Sequence, residues 1–90
     1  MYEVLYTAQA RAAILELKSK EKLQIEHAVL RLSADPFIGK RLTQELAQFY
    51  SYRTGVYRIV YKIFRKEIRV VVFAVGHRKS VYEQLSRKLS

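Results

Sequence analysis

The stretch Val56-Tyr57-Arg58-Ile59-Val60-Tyr61-Lys62-Ile63-Phe64, followed after Arg65-Lys66-Glu67 by Ile68-Arg69-Val70-Val71-Val72-Phe73-Ala74-Val75-Gly76, decides the fold. Its first segment alternates. Tyr57, Ile59, Tyr61 and Ile63 fall on one face of a strand, and Arg58, Val60 and Lys62 fall on the other. The second segment is rich in β-branched residues and reads as a strand from Ile68 to Gly76, buried at most positions. The polar joint between them is short enough for a hairpin, so the two strands are antiparallel neighbours. Upstream, Phe49 to Arg53 reads as a further short strand, with Thr54-Gly55 as the turn. If Tyr50 and Tyr52 pack inward, Ser51 and Arg53 share the face of Arg58 and Lys62.

Towards the N-terminus the period changes. Tyr2 to Tyr6 is a short run of β-formers, and Thr7 is a good helix N-cap. Ala10, Ala13, Ile14 and Leu17 then recur at helical spacing, and Ile25, Ala28, Val29 and Leu32 repeat it. Ser19 to Lys22 reads as a polar break between the two helices. The second helix must stop near Ala34, because the residue before Pro36 is driven out of the helical region. Beyond the strands, Ser80-Val81-Tyr82-Glu83 fits a capping box, and Leu85 and Leu89 extend a short C-terminal helix. The expected fold is α+β, with order β-α-α-β-β-β-α: a single domain over residues 1–90. One face of a curved antiparallel sheet packs on an N-terminal helical hairpin, and the other is left open.

Ninety residues bury about 60% of the surface the unfolded chain exposes, and half the residues are apolar, enough for one core. The absence of cysteine excludes disulfides and thiolate metal sites. Two distant histidines without a carboxylate cluster make no metal site. The longest uncharged apolar run, Val70 to Gly76, is seven residues, against about twenty for a membrane-spanning helix. With no basic-then-apolar leader at Met1-Tyr2-Glu3-Val4, the expected compartment is the cytoplasm. The charge is lopsided. Residues 1–45 carry seven basic and six acidic groups, whereas residues 46–90 carry ten basic groups against Glu67 and Glu83, within a net charge of +9. So uneven an excess in one small domain points to a polyanion, most simply nucleic acid.

Three pieces of sequence together resemble the RelE/ParE superfamily of toxins: Pro36-Phe37-Ile38-Gly39-Lys40, Tyr52-Arg53-Thr54-Gly55-Val56-Tyr57-Arg58-Ile59-Val60-Tyr61, and Val75-Gly76-His77-Arg78-Lys79-Ser80-Val81-Tyr82. The resemblance implies two helices on a curved antiparallel sheet, and a small RelB-like antitoxin as partner. In its RelE branch it implies a ribosome-dependent endoribonuclease that cuts mRNA in the ribosomal A site. In its ParE branch it implies a non-catalytic toxin that binds DNA gyrase. Matched residue by residue, the arginine of the middle strand is Arg58, the arginine after the last strand is Arg78, the C-terminal tyrosine is Tyr82 and the arginine of the preceding strand is Arg53. Two lysines of the best-known pattern are replaced by Ser51 and Phe49.

RNA cleavage by 2′-hydroxyl attack needs a base, cations for the charge growing on phosphate, and an acid for the leaving 5′-oxygen; it needs no cofactor. Arg58 suits the second task, because a guanidinium grips phosphate oxygens in a fork. Arg78 suits charge stabilisation beside the leaving group. With the lysines absent, His77 becomes a candidate base or acid, the other reading being a strand-end histidine that orients the backbone. Tyr82 either stacks on a base, takes part in proton transfer, or covers the core. Arg53, Lys62, Lys40, Arg41 and Lys79 are candidates for phosphate contacts that add salt-dependent affinity without sequence choice. His27, away from the basic half, reads as structural or exposed.

Overall fold

The computed structural model describes residues 1–89, with side chains through residue 85. Strand β1 (Glu3–Tyr6) leads into helix α1 (Ala8–Leu15) through Thr7, whose hydroxyl accepts the Ala10 N–H at 3.2 Å, the capping bond its sequence predicts. Helix α2 runs over Ser19–Ala34. The polar Ser19–Lys22 segment is therefore its first turn, and the joint between the helices is Glu16-Leu17-Lys18. Lys and Glu are good helix formers, and Glu21 complements the helix N-terminus, so their polarity marks exposure and not a break. The helix ends where Pro36 requires it. Asp35 turns extended, and its carboxylate accepts the Phe37 N–H at 3.0 Å, capping a short 3₁₀ turn, Pro36–Ile38.

Next come β2 (Lys40–Arg41), β3 (Tyr50–Thr54), β4 (Tyr57–Phe64), β5 (Arg69–His77) and α3 (Val81–Leu89). In α3, the predicted contribution of Leu89 lies outside the described side chains, whereas Leu85 is buried. Strand β2 is two residues long, too short to leave a period in sequence. The β3–β4 loop is Gly55-Val56, with Gly55 at φ 62, the glycine-first pattern of a two-residue hairpin. Strand β5 starts at Arg69, one residue later than its sequence suggests. Ile68 belongs to the β4–β5 loop and sits at φ 51, a region that β-branched residues seldom enter.

The sheet order is β1-β5-β4-β3-β2. Three of its four pairings are antiparallel, and β1 joins β5 in parallel, Glu3 opposite Arg69 through Tyr6 opposite Val72. On the inner face the alternation of β4 holds. Ile59 and Tyr61, with Val70, Val72 and Val75 of β5, meet Ala10, Ile25, Ala28 and Leu32 of the helical hairpin, and Tyr50 and Tyr52 pack there too. The outer face is not left open throughout. There Val60, Ala74 and Phe49 form a second, smaller core with Val81 and Leu85 of α3. A bulge makes this possible. Val60 pairs with Ala74 and Tyr61 with Val72, so Phe73 is an extra residue, and Phe73 and Ala74 both contribute to the outer core.

Tyr61 ties the inner face to the connection. Its hydroxyl is buried and donates to the Pro36 carbonyl at 2.6 Å. Gly39 passes so close to this hydroxyl that any Cβ there would collide with it, which explains the glycine between Ile38 and Lys40. Burial pushes the Tyr61 phenol well above its usual range.

Candidate functional site

Because β4 alternates, Arg58 emerges on the outer face between two walls: β3 on one side and α3 on the other. The β3–β4 register sets Arg53 directly opposite Arg58 and Ser51 opposite Val60. The β4–β5 register sets Gly76 opposite Arg58, and a Cβ at Gly76 would press on Gln84 of α3. A residue without a side chain here lets α3 lie low and brings Tyr82 over the guanidinium.

The three side chains form a chain of contacts. Arg58 Nη1 donates to Tyr82 Oη at 3.4 Å, and Tyr82 Oη donates to Ser51 Oγ at 3.2 Å. The Arg58 guanidinium carbon lies 6.0 Å from the centre of the Tyr82 ring, within cation–π range. Ser51 is 3% exposed. Arg58 Nε is buried and has no hydrogen-bond partner among the described residues. A buried donor left unpaired costs about 1–3 kcal/mol, more when charged, and two like charges facing each other across a ladder add to that cost. No carboxylate is paired with this half-buried arginine among the hydrogen bonds and ion pairs of the described residues. Lys40, Ser51, Tyr52, Arg53 and Arg58 line a cavity of about 430 Å³, without a carboxylate among its lining residues.

The other predicted site residues divide. Arg78 is exposed in the turn just beyond β5, its N–H donates to the Val56 carbonyl at 3.0 Å, and it lies two residues past Gly76, the partner of Arg58. Lys40 pairs with Ser51 across β2 and β3, hence on the same face. Lys62 is on that face as well, but its Nζ sits 4.9 Å and 5.1 Å from the rings of Phe49 and Phe73, so it braces the outer core. Arg41 pairs with Tyr50, an inner-face position, and its Nε donates to the Ala47 carbonyl at 2.9 Å, closing the loop before β3.

His77 is not on the cation face. The register pairs it with Tyr57, whose ring packs on the inner core. Its Nδ1 accepts the Lys79 N–H at 3.4 Å, and its carbonyl accepts from the Ser80 N–H and hydroxyl at 2.9 Å and 3.2 Å. The imidazole thus shapes the turn into α3. Lys79 is exposed in that turn. Conversely, Ser51, noted in the sequence for the lysine it replaces, is the buried hydroxyl that anchors Tyr82; its alternation with Tyr50 and Tyr52 was the available signal. Among the described residues no group of three or more histidines or carboxylates could hold a metal ion, and no helix is long and apolar enough to cross a membrane.

Comparison with known proteins identifies the family of this fold. Residues 4–82 match the family described as the ParE toxin of the type II toxin–antitoxin system, parDE. Toxin RelG of Mycobacterium tuberculosis is 35% identical over 85 residues, covering 92% of this chain and 98% of that protein. The crystal structure of the toxin–antitoxin complex RelBE2 from Mycobacterium tuberculosis superposes with a TM-score of 0.80 at 34% identity, covering 86% of this chain and 98% of its counterpart. The isolated E. coli RelE toxin shares the fold, with a TM-score of 0.75 at 20% identity over the full length of both chains. With the fold, the paired sequence elements and these relatives in agreement, the chain belongs to the RelE/ParE superfamily and is a toxin of a type II toxin–antitoxin system.

Proposed function

We propose that this toxin is a ribosome-dependent endoribonuclease that cuts mRNA in the ribosomal A site by attack of the 2′-hydroxyl on the adjacent phosphate. One observation carries the reading: the half-buried Arg58, with an unpartnered Nε and with Arg53 abreast of it, at a cavity of about 430 Å³ lined by cations and no carboxylate. Arg58 stabilises the charge that grows on the phosphate as the 2′-oxygen attacks, and Arg78 adds to it from the end of β5. Tyr82 is the proton-bearing side chain in contact with Arg58 and is assigned to the leaving 5′-oxygen. His77, turned to the other face, is assigned to the turn, so the 2′-hydroxyl proton goes to a group that the ribosome supplies or to solvent. Lys40, Arg53 and Lys79 contribute phosphate contacts. The solved relatives named RelBE pair a toxin with its antitoxin; the antitoxin of this chain is an acidic partner that covers Arg58.

The family match by description to ParE toxins supports a second reading, inhibition of DNA gyrase by docking. The two separate cleanly. Purified toxin is added to translating ribosomes with a defined mRNA, to the same mRNA free in solution, and to a gyrase supercoiling reaction. The expected result is cleavage on ribosomes, intact free RNA and unaffected supercoiling. Intact mRNA on ribosomes together with inhibited supercoiling assigns the chain to the gyrase reading instead.

A further inference from the structure

The cation face does not end at the front of the sheet. Strand β2 pairs with Tyr50 and Ser51 alone, so the outer edge of β3 from Tyr52 to Thr54 has no strand beside it. Directly behind that edge, between α2 and β3, lies a second cavity of about 230 Å³, lined by Gln24, His27, Arg31, Tyr52 and Thr54. Tyr52 lines both this cavity and the one in front that holds Arg53 and Arg58. The two depressions therefore flank one bare edge, with Tyr52 common to both. Neither has a carboxylate in its lining, in contrast to the groove between α1 and α2, where Glu26 stands with Arg11 and Lys22. Arg31 and His27 are exposed, and the Arg31 contact to the Tyr52 hydroxyl is long, 3.5 Å, which leaves most of the guanidinium's donors turned to solvent.

We propose that single-stranded RNA wraps this edge: the phosphate held by Arg58 and Arg53 in front is followed along the strand by a phosphate held by Arg31 and His27 behind, with Tyr52 as the ridge between them. The inference rests on the nucleic-acid reading of the front face and adds a second subsite to it. The back subsite positions the strand and takes no part in bond breaking. Gln24 serves it indirectly, since its Nε2 donates to the Thr54 carbonyl at 2.9 Å and holds the edge against α2.

The test is the salt dependence of binding to a single-stranded 2′-O-methyl RNA decamer, which cannot be cleaved. Each lost phosphate contact lowers the slope of log affinity against log salt by about 0.7 for a single strand. Arg31→Gln is expected to lose that amount and to weaken binding severalfold at low salt. Arg31→Lys, which keeps the charge, restores the slope. Lys66→Gln, in the β4–β5 loop at the opposite end of the strands, serves as the reference for diffuse charge and leaves the slope unchanged. If Arg31→Gln behaves like Lys66→Gln while Arg58→Ala loses slope, the track stops at the front and the proposal is overturned with the nuclease reading intact. Equal losses in all three variants mean diffuse attraction and also overturn it. If Arg58→Ala loses nothing, the front site itself does not bind RNA, and the function proposed above fails first. A polyglutamate peptide that depends on Arg31 when the RNA does not would assign the edge to an acidic protein segment instead.

Discussion

The two faces of the sheet treat their polar groups in opposite ways. On the inner face, polar atoms that enter the core are satisfied within the chain: the Tyr61 hydroxyl bonds the Pro36 carbonyl, and the Ser33 hydroxyl bonds the Tyr2 carbonyl at 2.6 Å. On the outer face Arg58 keeps a buried donor unpaired and faces a second arginine. Both faces are folded by the same strands, and adjacent residues of β4 serve each. The orphaned donor is local to the outer face, while the inner face that holds the domain together carries no buried unpaired side-chain donor or acceptor among the described residues.

Neighbouring substitutions sharpen the contrast most. Ile59 is fully buried on the inner face. Ile59→Ala is expected to cost about 3–4 kcal/mol, a large part of the roughly 5–13 kcal/mol that a domain this size has in all, seen as a collapse of the thermal midpoint. Arg58→Ala, one residue earlier, is expected to leave that midpoint unchanged or slightly raised. Yet it should slow single-turnover mRNA cleavage on ribosomes about a hundredfold, the roughly 3 kcal/mol that a positioned charge supplies to a transition state. Equal losses of stability in the two variants would erase the distinction between the faces.

Tyr61 tests the inner face through pH. Its buried phenol resists ionisation, so the folded state holds the proton above pH 10, where the unfolded chain releases it. The unfolded state then binds fewer protons than the folded one, and stability falls as pH rises past 10. Tyr61→Phe is expected to cost about 1–3 kcal/mol at neutral pH by leaving the Pro36 carbonyl unpaired. It should also flatten the alkaline decline measured by urea unfolding at pH 9, 10 and 11. Tyr6, whose phenol is also raised by burial, leaves a residual slope.

The smallest expected effect is a gain away from both faces. Ile68 holds a left-handed conformation at φ 51, which costs a branched residue about 1–2 kcal/mol. Ile68→Gly is expected to raise stability by about 0.5–1 kcal/mol after the entropy of the added glycine is subtracted, visible as a few degrees in the thermal midpoint, with cleavage unchanged.

What the sequence made legible follows from periodicity. The alternation of β4, the cap at Thr7 and the stop before Pro36 all appear where local chemistry requires them, and the face of Arg58 with Arg53 and Ser51 follows from the same count. The parts that were not legible depend on contacts remote in sequence. The bulge at Phe73 resets the parity of β5, and the register that follows puts His77 beside Tyr57, away from Arg58. The covering of the outer face by α3 depends on Phe49, Val60 and Ala74 meeting Val81 and Leu85, which no local period announces. The polar start of α2 misled because exposure and helix breaking look alike in composition.

The parallel pairing of β1 with β5 also fixes when the molecule can exist. Glu3 meets Arg69, sixty-six residues later in the chain. At about 5–20 residues per second, the first strand made waits roughly 3–13 s for its partner to be synthesised. Contacts so distant in sequence also close slowly. The β3–β4 hairpin that carries Arg53 and Arg58 emerges before β5 and α3, so the Tyr82 contact is completed only after both have been made. A nascent chain that has made β4 but not α3 therefore lacks the Tyr82 side of the contact at Arg58, and its outer core of Phe49, Val60 and Ala74 is still uncovered.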